Sequence, residues 1–573
     1  MLRLKLGLLT ISAVCLAWIL GSCGASRPYF ALSSTPSSLG IVQGSDGAST
    51  ITVNPAKGFP GSATLAVSGL PSGVTASFVP NPATTNSTLT LTASATAPVG
   101  TVEVTITGTS GTSTNSTAIS LITSAPIPRG KINHVVIVVQ ENRTPDNLFH
   151  DPKLIGAGAD IATEGMTSTG QMVTLTPAAL ATPYDLDHSH QGFLNICNYD
   201  LSTNSCLMNT ADLNDCVSVI EKCPPFPQYK YVDNSTGAIQ PYFTMAETYT
   251  FGDHMFQTNQ GGSFVAHQYL LSGTARISTT SSISQAENPD YSRVGAGIGA
   301  GCLASPGSTE RTLDLSNLDP KTAEGVLNFP LCFDHPTLTD VLDAGGLSWK
   351  YYASSAGYIW TAPDAIKHIC QPSGPENNLT CSGPDWTAPN PKVVIEGSGA
   401  QVITDIRTQQ LASVSWVTPN GAASDHPGTT VDTGPSWVSA IVNAVGQSPY
   451  WADTAIIVTW DDFGGWFDHV APPIRNSNEV GLRVPLIVIS PYAKTAYISH
   501  VNHDFGSILK FVEEAFGLGE IDQAVGYADS QSDDLADCFD FNQAPLVFTP
   551  IPAPLDANYF LNDKSLPTPP DND

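Results

Sequence analysis

Four oxygen-bearing side chains stand directly behind two apolar runs of this 573-residue chain. Gln140-Glu141-Asn142-Arg143 follows the run at 135–139, and Thr459-Trp460-Asp461-Asp462 follows the run at 455–458. Hard oxygen donors of the kind in Glu141, Asn142, Asp461 and Asp462 suit a divalent cation. Adjacent carboxylates also repel, and a cation relieves a cost otherwise met by a raised pKa. As plain local structure, Glu141-Asn142 would cap a helix and Asp461-Asp462 would form a solvated turn. Their shared placement behind apolar runs favours the cation. A nucleophile is offered by Gly261-Gly262-Ser263, which leads into a helix-compatible stretch ending at Leu271. That order seats a hydroxyl at a helix N-terminus, where backbone N–H groups favour an anion. A bound metal would lower the pKa of the hydroxyl and activate it, although an N-cap serine is the commoner use of such a residue. Three polar Asp-His steps complete the set: Asp187-His188, Asp425-His426 and Asp468-His469. Imidazolium can neutralise an anionic substrate or protonate a leaving oxygen.

These residues need a scaffold that brings distant segments to one edge. The runs at 135–139, 414–417, 455–458 and 486–489 are almost continuously apolar, the pattern of buried parallel strands flanked by helices. Phe505, Ile508, Leu509, Val512 and Phe516 have helical spacing, with Asp504 as N-cap and Gly517 past the end. Strands alternating with helices predict a doubly wound α/β domain, in which ligands bind outside the carboxyl ends of the strands.

The region before it reads differently. Ile51 and Val53, Leu89 and Leu91, Val104 and Ile106, and Ile119 and Leu121 alternate with polar positions, mostly Ser and Thr, between Gly/Pro turns. Period-two alternation of this kind predicts an antiparallel β-sandwich over 29–124. Between Arg27 and Ser124 only Arg27, Asp46, Lys57 and Glu103 are charged, whereas 125–573 carries 19 basic and 49 acidic residues. That shift marks a boundary, with a linker at 125–130, a catalytic domain over 131–548 and a C-terminal tail over 549–573. A net charge of −28 excludes polyanion binders such as nucleic-acid proteins, whose affinity rests on cationic contacts. It also excludes adhesion to anionic membranes through a polybasic face.

The N-terminus is an export address. Arg3 and Lys5 precede an apolar run at 6–20, which fits a signal peptide over 1–22. Leu20-Gly21-Ser22-Cys23 resembles a bacterial lipobox, so Cys23 is the expected lipidation site and a membrane the expected anchor. Nine cysteines follow from Cys197 onward, several as close neighbours in loop-like stretches. In an exported chain these predict disulfides at 197–206, 216–223, 302–332 and 370–381, with Cys538 left over.

Several motifs in order resemble the bacterial phosphoesterase family of acid phosphatases and C-type phospholipases, within the alkaline-phosphatase-like superfamily. They are Val138-Val139-Gln140-Glu141-Asn142-Arg143, Gly261-Gly262-Ser263-Phe264, Ser424-Asp425-His426-Pro427, the stretch from Trp460 to His469, Arg483-Val484-Pro485-Leu486 and Ser490-Pro491-Tyr492-Ala493. The resemblance spans about 132–519. It implies an α/β, mostly parallel sheet; the segment in front resembles the Ig-like modules appended to bacterial surface proteins. It further implies Glu141, Asn142, Asp461 and Asp462 as metal ligands and Ser263 as a nucleophile that is transiently phosphorylated. His188, His426 and His469 would be the phosphate-stabilising and proton-transferring histidines, with His190 an alternative to His188. The expected activity is an exported, divalent-metal-dependent phosphoesterase (Ca, Mg, Mn or Zn) acting on a phosphate-ester substrate. Val265-Ala266-His267-Gln268 departs from the Pro-Asn-Arg of the phospholipase branch, which favours phosphomonoesters over phospholipids. The alternatives are a phospholipase C and an inactive surface-binding lipoprotein.

Overall fold

The computed structural model describes residues 30–569, apart from 36–37, 57–58, 60, 202–204, 290–298, 318, 323, 329–330, 398–399 and 523. The expected signal peptide over 1–22 and Cys23 lie outside the described residues.

Residues 30–124 build two four-stranded sheets. One runs in the order Phe30–Thr35, Asp46–Pro55, Asn86–Ala93 and Val74–Val79, antiparallel throughout. The other runs Ser38–Val42, Ser113–Ser124, Gly100–Ser110 and Thr64–Ser68. Alternation in the sequence is alternation of burial. Ile51, Leu89 and Leu91 of one sheet and Val104, Ile106, Ile119 and Leu121 of the other are wholly buried in one shared core. Ser38–Val42 departs from the antiparallel expectation, since it pairs parallel with Ser113–Ser124.

The larger domain is organised by an eight-stranded sheet. Its strands, in chain order, are β1 (His134–Gln140), β2 (Thr250–Gly252), β3 (Trp349–Ala353), β4 (Val393–Ile395), β5 (Val414–Val417), β6 (Thr454–Trp460), β7 (Leu486–Ile489) and β8 (Tyr497–Ser499). Their spatial order is β4-β3-β5-β1-β6-β7-β2-β8. Every residue of β5, β6 and β7 is buried, so both faces of the sheet are covered. All the predicted apolar runs are strands, but β7 is antiparallel to both neighbours. Residues 461–485 contain no helix to carry a crossover, so the chain turns back beside β6. Burial on both faces makes a strand continuously apolar whichever way it runs.

Six helices matter here: α1 (Gln240–Thr248), α2 (Ser263–Ser272), α3 (Gln401–Arg407), α4 (Gly434–Gly446), α5 (Phe505–Phe516) and α6 (Ala557–Asn562). At the start of α5 the Asp504 side chain accepts from the Ser507 N–H, and Gly517 ends the helix at φ +66°. Residues after 548, expected as a tail, dock on the domain. The Ile551 carbonyl accepts from Ser439 Oγ and Asn443 Nδ2, and Phe560 of α6 joins the main core. Disulfides join Cys197–Cys206, Cys216–Cys223, Cys302–Cys332 and Cys370–Cys381, and Cys538 is a buried thiol.

Candidate functional site

Strand register brings the first four residues together. β1 and β6 are adjacent and parallel, with Gln140 paired to Trp460, so both strands leave the sheet at the same carboxyl edge. Glu141-Asn142 and Asp461-Asp462 therefore emerge side by side. The Asp461 N–H donates to the Gln140 carbonyl at 2.9 Å. In return, Asp461 Oδ1 accepts from the backbone N–H groups of Asn142 (3.1 Å) and Asp462 (2.7 Å). Asn142 is held in the left-handed region, at φ +61°, and such strain persists only where the surroundings over-determine it. Gly464 is required by the same packing: at φ +60° it lies so close that a Cβ would stand 2.1 Å from the Asn142 carbonyl oxygen.

Ser263 arrives from elsewhere in the chain. It is the first residue of α2, after Gly262 in extended backbone. Its hydroxyl donates to Asp462 Oδ2 at 3.1 Å. One helical turn further on, His267 brings Nε2 to 3.2 Å from Glu141 Oε1 and 3.8 Å from Asp461 Oδ2.

The charges in this cluster do not balance among themselves. Glu141, Asp461 and Asp462 are wholly buried. Burial, aided by the neighbouring Asp461, pushes the Glu141 and Asp462 carboxyls well above their usual range. Burial pushes His267 down to about 4, which keeps the ring neutral at pH 7. Among the described residues, Glu141 Oε2, Asp461 Oδ2 and Asn142 Oδ1 are buried without a hydrogen-bond partner. Buried polar atoms are nearly always satisfied, and ligand atoms of Glu141, His267 and Asp461 lie within 4.8 Å of one another, so the orphaned oxygens fit a cation. Glu141, Asn142, Asp461 and Asp462 are the residues that would hold it.

Two of the singled-out histidines lie together beside this cluster. The rings of His188 and His426 stand 5.6 Å apart, centre to centre. Each ring pins Nδ1 on a backbone carbonyl, Leu186 for His188 and Pro427 for His426. Burial works against the charged form of His188, but Asp462, Asp185 and the Leu186 carbonyl outweigh it and raise its pKa to about 10. His190, the alternative, turns elsewhere: its Nε2 meets the Pro320 carbonyl at 2.8 Å. The loop carrying His426 is tied down by Arg143, which is buried and donates to the Asp425 carbonyl through Nε and Nη2. Asp425 Oδ2 in turn accepts from Tyr242 and from the Trp460 indole.

With that geometry in view, comparison with known proteins is decisive for residues 132–519, which match the Phosphoesterase family. The chain belongs to this family. It is 24% identical to Phospholipase C A of Mycobacterium tuberculosis over 453 residues, covering 72% of this chain and 78% of that protein. Identity to Phospholipase C B of the same organism is 29% over 238 residues, 36% of this chain and 43% of that one. Hemolytic phospholipase C of Pseudomonas aeruginosa is 24% identical over 465 residues, 72% of this chain and 56% of its own length. A solved structure of S-layer protein SbsC domains 4 and 5 aligns with 17% of this chain and 53% of its own at 15% identity and a TM-score of 0.14, too slight to bear on the fold. This phosphoesterase is a phosphoric ester hydrolase.

Within the phosphoesterase, the structure does not bring His469 to Ser263. Its Nδ1 meets Asp146 Oδ2 at 2.8 Å and its Nε2 meets Asp160 Oδ1 at 2.9 Å. Buried Arg483 completes that group, bonding Asp468 through Nε at 2.9 Å and Asp146 through Nη2 at 3.2 Å. These contacts make His469 part of an ion-pair brace beside the site. The proximity of His267 escaped the sequence reading, which treated it only as a departure from the phospholipase pattern. Its signal was spacing: residues four apart on a helix share a face, so a ligand-type side chain at 267 points where Ser263 points.

Proposed function

We propose that this phosphoesterase cleaves phosphate esters by in-line attack of Ser263, through a phosphoserine intermediate, at a site that binds one or more divalent metal ions. The observation that carries this reading is the Ser263 hydroxyl on the first turn of α2, bonded to Asp462 at the shared carboxyl edge of β1 and β6. A helix N-terminus favours a phosphoryl group, and parallel sheets bind ligands at that edge. When bound, the metal supplies positive charge that screens the carboxylates and lowers the pKa of the hydroxyl. The Ser263 Oγ–phosphorus bond forms as the bond to the ester oxygen breaks, and the Oγ proton already points at Asp462. The leaving oxygen takes a proton from the His188–His426 pair, where His188 is held charged by its acidic neighbours. Water then cleaves the phosphoserine. This arrangement favours the alkaline-phosphatase-like grouping.

The site offers few positive charges of its own, since its basic residues are imidazoles and Arg143 is committed to carbonyls. A singly charged phosphoryl group suits it. A phosphomonoester reaches that state below its second pKa of about 6, which favours acid-phosphatase action. The second reading is phospholipase C, since phosphodiesters carry a single charge at any physiological pH. It is favoured by the relatives, which are phospholipases C over much of this chain.

Export and anchoring at Cys23 complete the proposal, supported by the N-terminal sequence and by four disulfides, which persist in oxidising compartments. The small Ig-like module then spaces the catalytic domain from the membrane. The test is Ser263→Ala with p-nitrophenyl phosphate and phosphatidylcholine as alternative substrates. Turnover should fall by about 10³-fold or more, and acid-quenched wild type should carry label from 32P-substrate on Ser263. Parental turnover in the variant would overturn the reading. Release of phosphate from the monoester, against diacylglycerol from the lipid, separates the two substrates.

A further inference from the structure

His267 stands where no loop motif places it, and its two ring nitrogens face different chemistry. On the Nδ1 side, 3.5 Å away, is the Tyr351 hydroxyl. Tyr351 has one proton, and it is spent on the Trp360 carbonyl at 2.7 Å. Towards His267 it therefore presents a lone pair, which favours the tautomer with the hydrogen on Nδ1 and the lone pair on Nε2. That lone pair is directed at two carboxylate oxygens, Glu141 Oε1 at 3.2 Å and Asp461 Oδ2 at 3.8 Å. Three electron-rich atoms facing one another inside the protein repel unless a cation stands between them. The opposite tautomer would give Glu141 a hydrogen bond. It would also set the Nδ1 lone pair against that of Tyr351, and would still leave Asp461 Oδ2 and Glu141 Oε2 without partners.

We infer that His267 is a nitrogen ligand of the metal at the Glu141–Asp461 site, and that it biases this phosphoesterase towards Zn(II) and similar transition metals over Ca(II) and Mg(II). The inference rests on the metal reading above and deepens it. Ligand atoms of Glu141, His267 and Asp461 all lie within 4.8 Å of one another, and all three residues are buried. Two ligands about 2.0–2.2 Å from one ion, at tetrahedral or octahedral angles, stand roughly 2.9–3.5 Å apart, and the Glu141–His267 separation falls inside that range. Tyr351 is then the outer partner that fixes the ring, the arrangement usual for metal-bound histidine. Imidazole suits Zn, Cu, Fe and Ni, whereas all-oxygen sets suit Mg, Ca and Mn. The side chain at 267 thus converts an oxygen site into a mixed one.

The test reads binding and not turnover. Full-length protein, stripped of metal, is titrated with Zn(II) and separately with Ca(II), as wild type, His267→Gln and His267→Ala. Mn(II)-loaded samples are examined for 14N modulation by electron spin-echo spectroscopy. The expected result is directly bound nitrogen in wild type and its loss in both variants. Zn(II) affinity should drop by more than the ~10–100-fold cost of losing an outer partner, with Ca(II) affinity changed by less than about threefold. Nitrogen that survives in the variants, or Zn(II) and Ca(II) weakened together, overturns the inference and leaves the metal reading intact. Should neither variant fold, wild type alone decides, since absence of nitrogen coupling or of Zn(II) preference there refutes it. If wild type binds no divalent ion, this inference and the metal reading both fall, while the phosphoserine reading still stands or falls with Ser263.

Discussion

Two buried acidic clusters in this phosphoesterase come from the same two stretches of chain and are solved in opposite ways. Glu141, Asp461 and Asp462 face one another with no Arg or Lys paired to them among the described residues and only His188 as a charged neighbour there, two of the carboxyls pushed up in pKa and two of the carboxylate oxygens without partners. Asp146 and Asp468, five and seven residues further along, are met by Arg483 and His469. Despite the cost of its burial, hydrogen bonding from His469 and the charge of Arg483 hold the Asp146 carboxyl below its usual range. A buried charge cluster that is internally paired is a brace. One that is left short of positive charge is a place for something else to bind.

The comparison breaks most sharply at Asp462. Asp462→Asn should lower turnover by roughly 10³-fold or more. It should not lower the melting temperature of metal-free protein by much, because burial and the neighbouring Asp461 already oppose the charged form of this carboxyl. Steady-state rates and calorimetry on the same sample check both halves; a large loss of stability would mean that this cluster is a brace too. The mirror experiment is Arg483→Met, which leaves buried Asp468 without its ion-pair partner and Asp146 with His469 alone. It should cost about 3–5 kcal/mol in urea unfolding, while turnover per folded molecule changes much less than in Asp462→Asn.

Added divalent metal sharpens the contrast further. At 100 times its dissociation constant it should stabilise wild type by about 2.7 kcal/mol, and Asp462→Asn much less, as read by the shift in thermal unfolding. pH separates the clusters by sign. Burial opposes the charged form of His469, but Asp146 and Asp160 raise its pKa to about 10. Its stabilisation is therefore full below pH 6.5 and fades as pH rises towards 10. The depressed Asp146 contributes above about pH 4 and loses its contribution as pH falls further. His469→Asn should flatten the alkaline limb of stability against pH; an unchanged limb would remove His469 from the brace. Smallest is the effect of ionic strength. With a net charge of −28, long-range steering opposes anionic substrates, so added inert salt should raise kcat/KM at low ionic strength by a few-fold, roughly. A fall would place local positive charge in control of encounter.

Much of this was legible before any coordinates. The apolar runs are strands, α5 begins after Asp504 and ends before Gly517, and the four neighbouring cysteine pairs are disulfides. Apart from Cys302–Cys332, at a separation of 30, each of these is decided by neighbours in sequence, through burial, capping or a short loop. Direction and partnership were not. β7 looks like its parallel neighbours because burial on both faces erases the mark of direction, and residues 549–562 look like a tail until Ile551 and Phe560 find the core. Asp468-His469 reads like Asp187-His188 as a dipeptide, yet one histidine is clamped between carboxylates and the other lies beside His426.

By itself, then, the sequence determined the types of chemistry present: hard oxygen donors behind two apolar strands, a serine after two glycines, and a scarcity of basic side chains. The tertiary structure decided which of them meet. Adjacent parallel pairing of β1 and β6 set Glu141 beside Asp461, the first turn of α2 brought Ser263 to Asp462, and the next turn added His267. Arg483 compensated one acidic cluster and left the other open. Charge compensation acts over a few ångströms through space, and separations along the chain do not encode it.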